Sequence, residues 1–357
     1  MRSMKVGKHT LIHLLLFISF SVAFAAREPI PPIVNDPYTG FVVVDGTSGE
    51  VILEENADTK IYPASVIKLM TLLLVMERIE DGKLKLDEWI HVTPQAARMG
   101  GSQVYLKEGE QFSLEEMLYA LSIKSANDVA MALALHVGGT KEGFIKLMND
   151  RAAELGMTAT EFHSVHGLPP DAGDKPDIST ARDLATLSLE IVKHPLALTF
   201  TSTVERWFRD DTFQMLTHNR LLRDVQGCDG LKTGYFRAGG FSIAAAATRN
   251  DRRVIAVVTG CKSRPTRDDK ARELLAYGFM NLPELRMPEP ESEPQHESSP
   301  ESEPETATGK LSFLAAIGKG LAVLGRVILV LAGLLVVTGL IRAAIGAHRR
   351  KRDNWTL

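Results

Sequence analysis

Directly after Pro63-Ala64-Ser65, the run VIKLMTLLLVMERIEDGK carries apolar side chains on nearly every side of a helix until Gly82 stops it. Such a helix has no face to give to water, so the fold must bury it centrally with other elements packed around it. Lys68 is the exception within that run, and it stands one helical turn after Ser65 on the same side. A cation at the mouth of a buried helix is either a solvated first turn or a group placed for chemistry, and the rest of the chain decides which.

Ahead of this helix, GFVVVDGTSGEVILEEN reads as strand, Gly-rich turn, strand. A helical stretch follows it. Ser113 with Glu116 forms a capping box at the start of one helix. Gly138-Gly139 closes the next, Thr140 caps a third that ends at Gly156, and STARDLATLSLEIVKHP is a fourth, stopped at Pro195. Strand patterns return in GLKTGYF, FSIAAAATRN and RRVIAVVTG, separated by short polar turns as in an antiparallel meander. TRDDKARELLAYGFMN closes the domain as a helix. Strands at both sequence ends with helices between them predict an α/β (α+β) fold: a five-stranded antiparallel sheet flanked by helices, with an inserted all-helical lobe. The two cysteines, Cys228 and Cys261, fall before the first and at the end of the third strand of the meander. That places them at opposite ends of a sheet, too far apart to bridge, and predicts two unpaired, buried thiols.

The 357 residues suffice for one large domain or two ordinary ones. MRSMKVGKHTLIHLLLFISFSVAFAA has the basic start, apolar stretch and small-residue cleavage site of a secretory signal, so residues 1–25 are expected to be removed. At the other end, GLAVLGRVILVLAGLLVVTGLI (320–341) is long and apolar enough to cross a bilayer, and HRRKR follows it. The basic tail, 342–357, is therefore expected in the cytoplasm and the preceding domain outside it, in the periplasm of an inner-membrane-anchored protein. A helix lying on the membrane surface is the alternative reading of 320–341. Between domain and span, the Pro/Glu/Ser-rich residues 284–310 have almost nothing apolar to bury and read as a disordered spacer. The globular domain is expected over 26–283. A net charge of −3, with basic blocks only at the termini, argues against a nucleic-acid partner.

Ser65-x-x-Lys68 is a weak signal alone, but its position is informative. A serine at a helix N-terminus has backbone N–H groups and the positive dipole end beside a developing oxyanion. A buried lysine one turn on loses its charge by desolvation, and its neutral amine could take the serine proton. Two further short motifs lie downstream: Ser125-Ala126-Asn127 at a helix–helix junction, and Lys232-Thr233-Gly234 on a strand. Each has an ordinary structural explanation, a cap and a strand end. In this order, on these elements, the three together are specific.

The set resembles the three motifs of the penicillin-binding and serine β-lactamase superfamily, and most closely the D-alanyl-D-alanine carboxypeptidases among the low-molecular-mass penicillin-binding proteins. The resemblance runs nearly continuously over residues 37–283, including GSQVYLKEGE, FHSVHGL, ISTARDLA and DGLKTGYF. It implies a β-lactamase/transpeptidase-like fold and a serine-type carboxypeptidase acting on peptidoglycan pentapeptides, with β-lactams as covalent inhibitors. Carried over, Ser65 is the acylated nucleophile, Lys68 its general base, and Ser125 the relay of a proton to the leaving D-alanine. Asn127 would bond the substrate amide. Lys232 and Thr233 would hold the terminal carboxylate, and Gly234 would let the strand approach it. The backbone N–H groups of Ser65 and Tyr235 would form the oxyanion hole, with Arg267 steering the carboxylate. Many members carry histidine where Tyr235 stands, which leaves the N–H in place and bears on substrate preference. The small β-rich domain that often follows in such enzymes is replaced here by the acidic spacer.

No cofactor and no metal is expected, since no His/Cys/Asp cluster has ligand spacing along the chain. A β-lactamase shares all three motifs, but the glutamate motif that primes deacylation in the class A enzymes is absent between Ser125 and Lys232. A membrane-anchored penicillin sensor would need an output domain, and residues 342–357 are too few to fold as one.

Overall fold

The computed structural model describes residues 30–171 and 173–283. The expected signal peptide, spacer, membrane helix and basic tail lie outside the described residues. Strands β1 (Gly40–Asp45) and β2 (Val51–Glu55) form the first hairpin, paired antiparallel. The apolar helix α1 (Lys68–Glu80) follows a single 3-10 turn, Ala64–Ile67. The lobe then contains β3 (Trp89–His91), α2 (Pro94–Ala97), β4 (Gln111–Ser113), α3 (Leu114–Tyr119), α4 (Asn127–Gly138) and α5 (Lys141–Glu154). It continues through α6 (Ala181–Ile191), α7 (Pro195–Thr201), the hairpin β5 (Glu205–Phe208) and β6 (Phe213–Leu216), and the short α8 (Leu221–Asp224). The meander β7 (Cys228–Phe236), β8 (Gly240–Arg249) and β9 (Arg252–Cys261) and the final helix α9 (Arg264–Met280) complete the domain.

The main sheet has five strands in the order β2-β1-β9-β8-β7, all pairs antiparallel. The chain's first hairpin thus joins the last meander through β1 and β9, as strands at both sequence ends require. Side chains alternate across this sheet, and each face has its own core. Val42, Val44, Ala244, Ala246, Ile255 and Val257 face α1 and the lobe. Phe41, Val43, Ala245, Ala247, Val254 and Ala256 face Ala271, Leu274 and Leu275 of α9. The alanine run of β8 keeps both faces shallow, so helices can approach the middle of the sheet from either side. Helix α1 is buried from Lys68 through Met76, the central position its composition demands.

The caps expected at Ser113 and Thr140 form, each side chain accepting from the N–H three residues on, and Thr180 caps α6 in the same way. The lobe is not all helical as expected: it carries two small two-stranded antiparallel sheets, β3-β4 and β5-β6, whose strands of three or four residues are too short to show an alternating pattern in the sequence. One helix boundary also differs. Helix α6 ends at Ile191, four residues before Pro195, and Pro195 starts α7 at its first position instead of stopping the preceding helix. Proline's missing N–H is harmless there, because the first turn of a helix leaves that donor unused. Cys228 and Cys261 are both free; Cys261 is buried and Cys228 half-buried.

Candidate active site

Ser65 sits in the 3-10 turn, and the α-helical ladder starts only at Lys68. Ala64, just before it, has a φ of 50°, a left-handed value costing a non-glycine residue ~1–3 kcal/mol. Close backbone packing holds the turn in that state. A Cβ on Gly167 would stand 2.1 Å from Ala64 O, and one on Gly234 would stand 2.5 Å from Pro63 O. Only glycine admits these approaches of the 164–168 loop and of β7. The glycine of the third motif therefore serves the nucleophile's own turn: Gly234 lets the strand reach Pro63, a role distinct from the substrate approach that the resemblance implies.

Lys68 is 1% exposed. Its Nζ lies 2.9 Å from Ser65 Oγ, 2.8 Å from Asn127 Oδ1 and 2.6 Å from the His166 carbonyl oxygen. Burial, reinforced by the charge on Lys232, pushes its pKa well below the usual lysine range, against the opposing pull of Asp177 and Asp128. The Asn127 and His166 oxygens can only accept, so they take the two N–H bonds of a neutral amine. The lone pair is then left for Ser65 Oγ–H to donate into. That is the geometry of a serine beside its general base.

His166 does its part through the backbone, and a buried carboxylate fixes that backbone. Asp177 accepts from His163 N (2.7 Å), Ser164 N (2.8 Å) and Ser164 Oγ (2.6 Å). Ser164 Oγ in turn accepts from Gly167 N at 2.8 Å. Burial pushes the His166 imidazole down to about 3, so its side chain stays neutral.

Ser125 ends a wide π-type turn, Ala120–Lys124, with φ 60°. Its Oγ is buried and has no hydrogen-bond partner among the described residues. Asn127 opens α4, its Nδ2 donating to Gly100 O at 2.8 Å while its Oδ1 accepts from Lys68. Lys232, Thr233 and Gly234 lie on β7, at the edge of the sheet. Burial, with Arg267 adding, brings the Lys232 ammonium down to about 7. Arg267, in the first turn of α9, is buried against Asp268 through Nε at 2.8 Å.

These groups converge on a cavity of about 180 Å³. Ser65, Ser125, Thr233, Gly234, Tyr235 and Arg267 line it, while Lys68, Asn127 and Lys232 are buried side chains outside its lining. A nucleophile with its base, an unpartnered hydroxyl and a wall of cations can carry out acyl transfer on a substrate that ends in a carboxylate.

Known proteins resemble this chain. The family model described as D-alanyl-D-alanine carboxypeptidase matches residues 37–263. The chain belongs to that family. The D-alanyl-D-alanine carboxypeptidase DacF of Bacillus subtilis is 35% identical over 67% of this chain and 61% of its own length. DacC of Escherichia coli is 36% identical over 74% of this chain and 66% of its own. The chain thus spans somewhat under two thirds of the length of these relatives. Among solved structures, penicillin-binding protein D2 of Listeria monocytogenes in its ampicillin-bound form is 32% identical, with a TM-score of 0.62. The match covers 68% of this chain and 98% of that one.

In this D-alanyl-D-alanine carboxypeptidase family member, four further residues line the cavity that the three motifs do not contain: Ser102, His218, Phe241 and Arg264. Arg264 could have been found, since it precedes Arg267 by three positions and shares its helix face. His218 gives no such signal. It lies in a loop between β6 and α8, and only folding brings it into the cavity, where burial, with the charges of Lys232, Lys124, Arg264 and Arg267 adding, holds it at about 4. Tyr235 extends its ring outward, 54% exposed and stacked on Phe241 at 4.0 Å. The His166 carbonyl had no side-chain signature to read.

Proposed function

We propose that this chain is a serine-type D-alanyl-D-alanine carboxypeptidase that removes the terminal D-alanine from peptidoglycan pentapeptides. Membership of the family supports the reaction class. The single observation that carries the reading is the buried, charge-depleted Lys68 amine within 2.9 Å of Ser65 Oγ. Ser65 Oγ attacks the penultimate D-Ala carbonyl as Lys68 Nζ takes its proton, and the N–H groups of Ser65 and Tyr235 receive the oxyanion. Ser125 passes a proton to the departing amine, and Asn127 aligns the amide. Lys232, Thr233 and Arg267 hold the terminal carboxylate. Water then attacks the acyl-enzyme and releases the shortened peptide. β-Lactams would acylate the same serine, a reading supported by the ampicillin-bound relative.

The sequence features outside the described residues extend the proposal. A signal peptide over 1–25 and a membrane helix over 320–341 would hold the catalytic domain on the periplasmic face of the inner membrane. The decisive experiment is incubation of the purified protein with pentapeptide muropeptides and mass analysis of the products. Tetrapeptide plus free D-alanine is expected. Intact pentapeptide alongside rapid nitrocefin turnover would overturn the reading in favour of a β-lactamase.

A further inference from the structure

On the far half of α1 a second cluster of charged groups stands apart from the cavity. Glu77 and Glu80 come from α1, Glu190 from the end of α6, and His194 from the turn before α7. One carboxylate oxygen from each of Glu77 and Glu190 and a ring nitrogen of His194 lie within 4.8 Å of one another. His194 is only 8% exposed, and its two nitrogens are used very differently. Nδ1 is 2.7 Å from Glu80 Oε1, whereas Nε2 is buried with no hydrogen-bond partner among the described residues. A carboxylate on Nδ1 fixes the tautomer with the proton there and leaves an oriented lone pair on Nε2, the arrangement found behind metal-bound histidines.

Arg151 already touches both carboxylates, so the cluster could be an ion-pair network alone. Its contacts are partial. Nε bonds Glu77 Oε1 at 2.8 Å, and Nη2 reaches Glu190 Oε1 only at 3.5 Å. Charge also remains. Glu77, Glu80, Glu154 and Glu190 face two cations, Arg151 and Lys193, which leaves an excess of two negative charges. An ion-pair network does not account for a buried imidazole lone pair; a divalent cation accounts for both the lone pair and the excess charge.

We propose that Glu77, Glu190 and His194 bind a divalent metal ion of the zinc class, with Glu80 as the positioning residue on His194. One imidazole and two carboxylates suit zinc, whereas magnesium prefers oxygen ligands alone. Water completes the coordination. Glu77 follows Lys68 by nine positions on α1, roughly 13 Å along the helix axis, so the ion fastens α1 to α6 without entering the catalytic cavity. The proposal does not depend on the carboxypeptidase reading.

The test is titration of the purified, untagged full chain in detergent with Zn2+, followed by calorimetry and thermal unfolding. One ion per chain is expected, insensitive to Mg2+, with Tm raised by about 5 °C at saturating metal. His194→Ala should abolish the binding. Glu80→Gln, at a half-exposed position where folding is not at stake, should weaken it by roughly 10- to 100-fold. Both variants should keep full labelling by fluorescent penicillin, which reports that the fold and the serine turn are intact. Co2+ bound at the site should show a visible absorption spectrum that changes when the imidazole is lost. The proposal is overturned if no stoichiometric binding occurs, if His194→Ala binds Zn2+ as the native chain does, or if Glu80→Gln leaves the affinity unchanged.

Discussion

Lys68 concentrates the chemistry of this protein in one nitrogen. Its three oxygen neighbours and its burial work together: two acceptors take the N–H bonds, and the remaining lone pair meets Ser65. Ser65→Ala should leave the fold intact and abolish both D-alanine release and penicillin labelling, read by fluorography of the labelled protein. Lys68→Ala should slow acylation by ~10²–10⁴-fold, the usual worth of a positioned general base. Lys68→Arg should fail nearly as badly, because guanidinium does not deprotonate in a protein; stopped-flow acylation rates would settle it. A pH dependence follows from the two buried lysines. Lys68 must be unprotonated to act, so kcat/KM should fall as pH drops through its depressed pKa. Lys232 must be protonated to hold a carboxylate, and it loses its proton as pH rises through about 7. KM for a soluble peptide should therefore climb on the alkaline side of that value, while folding stability rises over the same range, because the unfolded chain holds the lysine protons that the buried amines have lost.

At the scale of elements, the catalytic turn is made by three segments that close on one another. The 3-10 turn, the 164–168 loop and β7 meet at Pro63 and Ala64, with Gly167 and Gly234 at the points of contact. Asp177 holds the loop from within by three hydrogen bonds. Adding one methyl at either glycine forces backbone apart. Gly167→Ala and Gly234→Ala should each lower stability by about 1–3 kcal/mol, the range for overpacking a tight contact. Each should also slow acylation, because the displaced partner is the turn that carries Ser65. Thermal unfolding with parallel labelling rates checks both effects; an unchanged Tm with unchanged labelling would mean the turn does not depend on these contacts.

For the molecule as a whole, the sheet is the organiser. Its two cores lie one against α1 and the lobe and one against α9, and the cavity lies where β7, the 3-10 turn and the lobe converge. Every residue named in those cores and that cavity lies before residue 283. A chain ending near Met287 is accordingly expected to retain the labelling rate and Tm of the full chain on soluble substrates. Activity on intact cell wall should fall if the expected anchor concentrates the enzyme near its substrate. Loss of labelling on truncation would mean that later residues help to build the site.

The sequence by itself determined the strands of the main sheet, the long helices and the main motifs, because these are written in local terms; the three- and four-residue strands of the lobe were too short to read. An all-round apolar run can only be a central helix, two strand patterns flanking a helical stretch can only share a sheet across it, and Ser65 and Lys68 share a helix face by spacing alone. The caps at Ser113 and Thr140 were equally local. What only the tertiary structure decided were contacts between segments distant in the chain. The His166 carbonyl that orients Lys68 is a backbone atom with no residue signature. His218 enters the cavity from a loop, Gly234 meets the backbone of Pro63, and His194 meets Glu77 and Glu190 across two helices. Burial itself belongs to this second class: Lys68 and Lys232 are bases or near-neutral cations only because the fold removes them from water, and no spacing along a chain states how dry a side chain will be.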